Sequence, residues 1–312
     1  MVILKSASSL IKRMTDFLPV LAPAKLNLFL HVVGQRQDGY HLLQSVFQLI
    51  DLCDTVKLRV RKDGVIHRLN PLPNVPVEDD LVVKAAQLLK KTCNVPFGVD
   101  IDLDKNIPMG AGLGGGSSDA ASTLLGLNQL WELHLKHAEL MSLGLQLGAD
   151  VPFFLFGKNA FVEGVGELLN EVNLRNTSFF VIFPGVSIAT KSIFSSPDLT
   201  RNRSQITITD FEEQYADHMT LHNDLQTVAT QKYSEVQSAI EWLEFRFPGS
   251  RAMMTGSGSS VFCEIPNELE LQNCQSELPP MWQGFKVQSL KQHSAYNLKS
   301  SINIQEGSRQ VG

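Results

Sequence analysis

The residues that most clearly indicate chemistry form a glycine-rich stretch near the middle of the chain. Five glycines alternate with small and apolar residues and lead directly into a segment with helical spacing of apolar side chains. Glycine lets the backbone approach a ligand closely and adopt positive φ, and the free N–H groups at a helix N-terminus attract anions. The stretch is therefore predicted to hold phosphate groups. Its residues are Pro108, Met109, Gly110, Ala111, Gly112, Leu113, Gly114, Gly115, Gly116, Ser117 and Ser118.

The spacing within this glycine loop (residues 108–118) discriminates between kinds of phosphate site. A P-loop needs Lys and then Ser or Thr after its last glycine, and here two serines follow with no lysine. The first, second and fourth glycines do satisfy the dinucleotide spacing GxGxxG, so an NAD-dependent oxidoreductase is one hypothesis. In that fold, however, the glycine turn follows its strand at once, whereas residues 105–109 separate Leu103 from the loop. A triphosphate is the better fit.

The periodicity of apolar residues predicts the elements that must position the loop. Lys25, Asn27 and His31 alternate with leucines over residues 24–34, which predicts a strand. Asp80 is predicted to cap a helix that starts at residue 81, and another helix is predicted to begin at the end of the glycine loop. Further predictions are strands at 56–60, 99–104, 179–183 and 261–262, a buried strand or core segment at 151–156, a polar, loop-rich region at 186–225, and a helix at 235–245.

Length and element order bound the fold class. The chain has 312 residues, which at ~150 residues per domain suggests two domains. Strands and helices mix without regular βαβ alternation, so the predicted fold class is α+β. The boundary between two lobes is expected between residues 150 and 185.

Composition excludes several classes of protein and partner. The hydrophobic share of 43% and the charged share of 19% are typical of a globular protein, and the net charge of −5 argues against a nucleic-acid partner. No uncharged apolar run approaches the ~18 residues of a membrane span, so no membrane partner is expected. The four cysteines contain no CxxC pair and are expected to be free thiols in the cytoplasm.

Three separate segments resemble the GHMP kinase superfamily, which includes galactokinase, homoserine kinase and mevalonate kinase. The glycine loop is similar to the phosphate-binding motif of this group. Two further segments agree in order and spacing. They are residues 23–30, Pro-Ala-Lys-Leu-Asn-Leu-Phe-Leu, and residues 254–262, Met-Thr-Gly-Ser-Gly-Ser-Ser-Val-Phe.

Within that group, three details resemble one family, the 4-diphosphocytidyl-2-C-methyl-D-erythritol kinases of non-mevalonate isoprenoid biosynthesis. They are Asp-Gly-Tyr-His at 38–41, Leu-Gly-Ala-Asp-Val-Pro-Phe-Phe at 147–154, and Asn-Asp-Leu at 223–225. The resemblance covers roughly residues 20–290 and implies a two-lobed fold with the active site in the cleft between the lobes. The expected organisation is a loose leader at 1–19, an ATP-binding N-terminal domain at 20–180, a substrate-side domain at 181–295 and a tail at 296–312. Met14 is an alternative start.

The resemblance also implies a reaction and its residues. The family transfers the γ-phosphoryl group of ATP to the tertiary 2-hydroxyl of a cytidine-diphosphate-linked methylerythritol, chemistry that depends mainly on positioning and charge stabilisation. Asp150 matches the family's general base, and Lys25 matches the lysine beside it that stabilises negative charge. Asn27 lies two residues further along the same strand face, where it could orient the hydroxyl.

The remaining implied contacts concern the base and the metal. Tyr40 and His41 match the residues that receive the cytosine, Tyr40 by stacking and His41 by hydrogen bonding, and Phe194 aligns with the second aromatic of the stack. Mg²⁺ is expected to accompany ATP. Ser117 or Ser118 supplies the nearest hydroxyls, but no carboxylate pair stands out as its ligands. The oligomeric state is left open by the sequence.

Three alternatives stay open at this point. A GHMP kinase for another alcohol is disfavoured by the Tyr40–His41 pair. A non-catalytic ligand sensor on the same fold is disfavoured because both Lys25 and Asp150 are present. The NAD-dependent oxidoreductase would be separated from a kinase by thermal-shift screening with the two cofactors.

Overall fold

A computed structural model describes residues 14–216, 221–265 and 274–297; the first 13 residues of the expected leader and residues 298–312 of the expected tail lie outside this part of the chain. The N-terminal half is built on one large sheet with the strands β1 (Leu18–Gln35), β2 (His41–Arg61), β3 (Ile66–Arg68), β4 (Gly98–Asp104), β5 (Ala160–Glu163) and β6 (Leu168–Glu171). The strand order is β3-β4-β2-β5-β6, with β1 paired along β2. All of the pairings are antiparallel except that of β3 with β4.

Four helices cover one face of this sheet and close the first core. They are α1 (Leu81–Thr92), α2 (Gly115–Leu130), α3 (His137–Leu147) and α4 (Val151–Phe156). The predicted cap of α1 is confirmed, because the Asp80 carboxylate accepts a hydrogen bond from the N–H of Val82 at 3.1 Å. The predicted helix after the glycine loop is also confirmed as α2. The segment expected as a buried strand or core segment at 151–156 is buried, but it is helix α4, since a proline in the first turn suits a helix N-terminus.

A second, smaller sheet forms the C-terminal half. Its strands are β7 (Ser178–Phe183), β8 (Met253–Met254), β9 (Val261–Glu264) and β10 (Gln283–Gln288), and the helices of this half are α5 (Thr190–Phe194), α6 (Ile208–Ala216), α7 (Asp224–Lys232) and α8 (Ser234–Arg246). The strand order is β10-β7-β9-β8, and every pairing is antiparallel. The region 186–225 is therefore less loop-like than predicted, since two helices and the start of a third lie in it. A cluster of buried apolar residues from β1 and β2 and from β7, β9 and β10 packs the two sheets together.

A bulge in β1 changes which of its residues share a face. The pairing with β2 shifts between Asn27 and Leu30, and a shift of one residue turns every later side chain to the opposite face. Leu30 consequently lines the same cleft as Lys25 and Asn27. His31, which the simple alternation placed with those two residues, packs instead against Phe29, with ring centroids 4.8 Å apart.

The antiparallel pairing of β4 with β2 bears on the dinucleotide hypothesis. A Rossmann site needs a parallel sheet whose first strand runs straight into the glycine turn. Here the strand before the glycine loop is antiparallel to its long neighbour, and residues 105–109 intervene. A Rossmann-type dinucleotide site at the glycine loop, on which the NAD-dependent oxidoreductase hypothesis rested, is therefore excluded. No helix in the described ranges has the length and apolar character needed to span a membrane.

After β10 the chain returns to the N-terminal half, and the buried residue His293 lies in this returning segment. His293 is fully buried, its Nδ1 accepts from the N–H of Ala295 at 3.1 Å, and its Nε2 faces the Ser122 hydroxyl at 3.3 Å. Protonation of Nδ1 would set a proton against the Ala295 N–H. Burial lowers the pKa of His293 from 6.5 to about 4.

This depressed pKa predicts a loss of stability in acid. Between pH 6.5 and about 4 the unfolded chain binds a proton at residue 293 that the folded chain does not, so stability falls as the pH falls, by up to ~1.4 kcal/mol per pH unit for one proton. Urea unfolding of wild type and His293→Asn across this range measures the effect; Asn keeps an acceptor for the Ala295 N–H and does not titrate. The two proteins should differ in the pH slope, and parallel slopes would contradict the assignment.

Candidate active site

A cleft of about 440 Å³ lies between the two halves. The glycine loop forms one wall, β1 and β2 form its floor, and the start of α4 and the C-terminal glycine segment 256–258 close its far end. Clefts of this size bind small molecules, and this one combines apolar walls with a few charged groups. Of the predicted ATP-binding residues, those from 108 to 117 line it, and Ser118 lies buried behind them.

Five successive carbonyl groups of the glycine loop, those of residues 109–113, accept hydrogen bonds from the protein. The oxygens of residues 109–113 accept, in order, from the Ser187 hydroxyl (3.0 Å), the Ile188 N–H (3.3 Å), the Ser260 N–H (3.1 Å), the Lys25 Nζ (3.0 Å) and the Lys25 N–H (3.0 Å). No N–H group of residues 110–114 donates a hydrogen bond within the described part of the chain. Five fixed carbonyls thus leave the N–H groups of this segment for an anion, next to the N-terminus of α2.

Positive φ angles shape the loop. Gly112 and Gly114 have φ of 75° and 74°, a region that side chains with a Cβ rarely adopt. A Cβ at Gly112 would also overlap the Thr255 carbonyl oxygen, and one at Gly114 would lie 2.9 Å from Cζ of Phe154. Glycine is required at both positions by backbone conformation and by close packing.

Lys25 is a buried cation at the junction of both glycine segments. It is 3% exposed, and its Nζ donates to the Gly112 carbonyl at 3.0 Å and to the Asn27 side-chain oxygen. Its ammonium group lies 4.9 Å from the centre of the Phe47 ring. Burial lowers the pKa of Lys25, and the negative charge of Asp150 partly opposes this effect. A group with two acceptors and a nearby carboxylate can carry its charge inside a cleft.

Asn27 is held from three sides. Its N–H donates to the Thr255 hydroxyl at 3.0 Å, and its side-chain NH₂ donates to the Ser45 hydroxyl at 2.9 Å. Its side-chain oxygen also accepts from Lys25. The prediction that Asn27 lies on the same strand face as Lys25 is therefore confirmed, and both side chains are buried. The C-terminal glycine segment covers a strand face that periodicity alone would have left in solvent.

Asp150 lies at the N-cap position of α4, but its carboxylate does not cap the helix. Its side chain is half-buried and lines the cleft together with Lys25. A carboxylate that is not engaged in capping stays available to accept a proton from a ligand. The structure thus brings together Lys25, Asn27 and Asp150, which are distant in sequence.

The residues predicted to receive a base lie at the rim. Phe194 lines the cleft, and its ring lies 4.9 Å from that of His41 with an interplanar angle of 36°. Tyr40, at the turn before β2, is 65% exposed. Neither His41 nor Tyr40 lines the described cleft itself. Burial lowers the pKa of His41, and the charge of Arg201 lowers it further.

The Asn223–Asp224 pair joins the halves around the cleft. The Asn223 side chain caps α7 and donates to the carbonyls of Met254 (2.8 Å) and Gly256 (2.7 Å). The Asp224 carboxylate accepts from the N–H of Val32 at 2.8 Å and pairs with Arg203 at 2.7 Å. These contacts give the motif a positioning role that its sequence did not reveal.

Several lining residues were not predicted from the sequence. Lys105 pairs with Asp119 at 2.8 Å and with the buried Asp54, in a charged group beneath the first turn of α2. Burial raises the pKa of Asp119, and the charge of Lys105 partly opposes this effect. The spacing of these three residues, 54, 105 and 119, carries no recognisable signal. Further lining residues include Ser45, Phe47, Leu72, Val75, Asp79, Leu81, Thr190, Gly256 and Ser257.

Comparisons with known proteins agree with this geometry. The family model of the GHMP kinases N terminal domain matches residues 80–158, and that of the GHMP kinases C terminal domain matches residues 211–282. Among solved structures, a 4-(cytidine 5'-diphospho)-2C-methyl-D-erythritol kinase superposes with a TM-score of 0.75 at 32% identity, covering 87% of this chain and 99% of that one. A homoserine kinase from Cytophaga hutchinsonii shares the fold, with a TM-score of 0.63 at 17% identity and coverage of 94% and 98%.

Relatives with curated names are closer in sequence. The 4-diphosphocytidyl-2-C-methyl-D-erythritol kinase of Polynucleobacter necessarius subsp. necessarius is 54% identical over 292 residues, which are 93% of this chain and 98% of that protein. The kinase of the same name from Burkholderia lata is 51% identical over 286 residues, 90% and 96% of the two chains. With this identity over almost the whole length, the chain belongs to the 4-diphosphocytidyl-2-C-methyl-D-erythritol kinase family of the GHMP kinases.

Proposed function

We propose that this protein transfers the γ-phosphoryl group of ATP to the 2-hydroxyl of 4-diphosphocytidyl-2-C-methyl-D-erythritol, a step of isoprenoid precursor biosynthesis. The observation that carries the proposal is the placement of Lys25 and Asp150 at the end of a loop in which the carbonyls of residues 109–113 are occupied and the N–H groups of residues 110–114 donate to no described residue. The names of the relatives supply the acceptor. The cleft supports the proposal with N–H groups suited to phosphate next to a cation and a carboxylate.

Each group has a role in the transfer. The acceptor oxygen attacks the γ-phosphorus, its proton passes to the Asp150 carboxylate, and the bond between the γ-phosphorus and the bridging oxygen breaks to release ADP. Lys25, fixed on the Gly112 carbonyl, places positive charge where negative charge develops on the phosphoryl oxygens. Asn27, held by Thr255 and Ser45, orients the hydroxyl.

The adenine of ATP is assigned to the opposite end of the glycine loop. Leu72, Val75 and Leu81 provide apolar surface there, and Asp79 provides a carboxylate acceptor. The phosphates then run along the N–H groups of the loop toward Lys25. This orientation sets the γ-phosphate at the Asp150 end, as transfer requires.

The residues at the start of α2 are suited to hold Mg²⁺. Asp119 lines the cleft, and its Oδ1 is buried and has no hydrogen-bond partner among the described residues. The Ser117 hydroxyl lies in the same turn, and Mg²⁺ prefers such oxygen ligands together with phosphate. Bound there with ATP, Mg²⁺ would neutralise charge on the phosphate oxygens.

A panel of acceptors tests the proposal directly. The purified protein is given ATP with the cytidyl substrate, homoserine, mevalonate or galactose, and ADP release is measured. Turnover of the cytidyl substrate alone is expected. Preferred turnover of another alcohol would favour a different GHMP kinase activity, and ATP binding without turnover of any of them would favour a ligand sensor.

Replacing Phe194 by Ala tests the aromatic contact to the cytosine. Loss of one stacking face is worth ~1–3 kcal/mol, so we expect KM for the acceptor to rise roughly 5- to 150-fold while KM for ATP stays near wild type. Steady-state kinetics with each substrate varied in turn measures this. Phe245→Ala, at a site that is 85% exposed on α8, is the matched control. Equal increases in both KM values would instead make Phe194 a packing residue.

We also propose a cytoplasmic location. The four cysteines of the chain are free thiols, two of them buried, which suits a reducing compartment. Fractionation of cells followed by immunoblotting tests it.

A further inference from the structure

The segment 194–201 is tied together by one guanidinium group. Arg201 donates from its terminal nitrogens to the carbonyls of Leu199 (3.0 Å), Phe194 (3.0 Å) and Ser196 (2.7 Å). Its Nε donates to Nε2 of His41 at 3.1 Å. Arg201 therefore links the loop that carries Phe194 to the imidazole at the start of β2.

The contact with His41 determines where the imidazole carries its proton. Arginine has only donors and no acceptor, so Nε2 of His41 must accept. A neutral imidazole that accepts at Nε2 carries its hydrogen on Nδ1. His41 is kept neutral because burial and the Arg201 charge both lower its pKa.

The other ring nitrogen, Nδ1, is the one left for a ligand. Nδ1 of His41 has no hydrogen-bond partner among the described residues, and the ring lies beside that of Phe194, 4.9 Å away. A ring stacked on Phe194 would thus present its edge to an N–H donor of fixed position. Cytosine has an acceptor at N3, whereas uracil has an N–H donor at the same place.

We propose that Arg201 is a positioning residue that makes the site select cytosine over uracil by holding His41 with its hydrogen on Nδ1. The inference rests on the proposed function, since it assumes that the acceptor's base binds at Phe194 and His41. The fixed donor pairs with N3 of cytosine and opposes N3–H of uracil. A site with a fixed donor rejects such an analogue because two donors are left facing each other without acceptors.

The tautomer can be measured on the wild-type protein. Histidine ¹⁵N NMR of ¹⁵N-labelled protein, with the His41 signals assigned by their loss in His41→Asn, is expected to show a protonated Nδ1 and an unprotonated Nε2. A protonated Nε2 would overturn the proposal. This measurement needs no variant of Arg201, so it can overturn the proposal even if Arg201→Met folds poorly.

Binding of CDP and UDP, measured by calorimetry, tests the consequence. Wild type should prefer CDP, and Arg201→Met, which fills similar space without a donor, should reduce the ratio of affinities by about 10-fold while leaving ATP affinity unchanged. Arg203→Lys is the control, because Arg203 lies two residues beyond the segment and pairs with Asp224, and its ratio of affinities should equal that of wild type. In His41→Asn, whose amide nitrogen stands near the position of Nδ1, the Arg201→Met change should have no further effect on the ratio.

The outcomes separate this inference from the proposed function. Equal affinity of the wild type for CDP and UDP would overturn the cytidyl acceptor and this inference together. A wild-type preference for CDP that persists in Arg201→Met would overturn the role of Arg201 alone. A reduced ratio in Arg203→Lys equal to that in Arg201→Met would also overturn it, because the effect would then not depend on the contact between Arg201 and His41.

Discussion

Replacing Asp150 by Asn is expected to lower kcat by roughly 10²–10⁴-fold, the usual contribution of a positioned base, with ATP affinity almost unchanged. Asn has the same shape but neither accepts the proton nor carries the charge. Asp150 makes no capping hydrogen bond in α4, so the helix loses nothing by the change. Stopped-time assays with the cytidyl acceptor and calorimetric ATP titration measure the two quantities.

The pair of Lys25 and Asp150 should behave as one unit. The Asp150 charge supports the protonated form of Lys25 against the effect of burial on its pKa, so removing either group weakens the other. Lys25→Met, which keeps the apolar stem over Phe47, should lower kcat comparably. The reduction of kcat in the double variant should be much smaller than the product of the reductions in the two single variants.

The control for both changes is Asp104→Asn. It removes an exposed carboxylate at the end of β4 that pairs only with Lys57 in the described structure, so kcat should stay near wild type. Near-wild-type turnover of Asp150→Asn would exclude Asp150 as the base. Strictly multiplicative effects of the two single variants would contradict their action as a pair.

Replacing Gly114 by Val is expected to abolish most ATP binding. A β-branched residue is strained at φ of 74°, and its Cβ would lie 2.9 Å from Cζ of Phe154 and 3.2 Å from Cγ of Lys25. The loop must move, and each charged hydrogen bond lost from the phosphates costs ~1.5–3 kcal/mol, so Kd for ATP should rise roughly 10- to 100-fold for each such bond. Calorimetric titration measures this.

The clash in Gly114→Val involves residues outside the glycine loop, so the variant should lose more than ATP affinity. The Cβ meets Lys25 and the α4 side chain Phe154, so kcat and the melting temperature should fall as well as ATP affinity. Gly116→Ala is the control inside the same loop, because its Cβ would meet only Cδ1 of Leu81 at an ordinary 3.5 Å and its φ is not positive. Unchanged ATP binding in Gly114→Val would contradict the assignment of the loop.

The glycine loop and the helix after it could be predicted from the sequence because their signals are local. Successive glycines permit positive φ, and the spacing of apolar residues from 120 onward is that of a helix. The Asp80 cap and the strands of the two cores are local in the same sense. The family motifs added Lys25 and Asp150, whose partnership no local pattern reveals.

Only the tertiary structure determines which segments pack on each face of strand β1. The alternation over residues 24–34 identified a strand, but a bulge after Asn27 sends His31 to the opposite side, because hydrogen-bond register depends on the partner strand. Lys25 is buried because the segment with Thr255 and Gly256 packs over it, a contact across 230 residues of chain.

Electrostatic and hydrogen-bond partners were likewise settled only by the fold. Lys105 lies between two carboxylates that are 51 and 14 residues away, and Arg201 reaches an imidazole 160 residues earlier. The periodicity of apolar residues predicts which side chains share a face of a helix or strand, and the residue types present indicate which chemistry is available. Which charged groups meet depends on how two sheets pack, and that packing is fixed by apolar side chains that carry no information about the polar pairs they bring together.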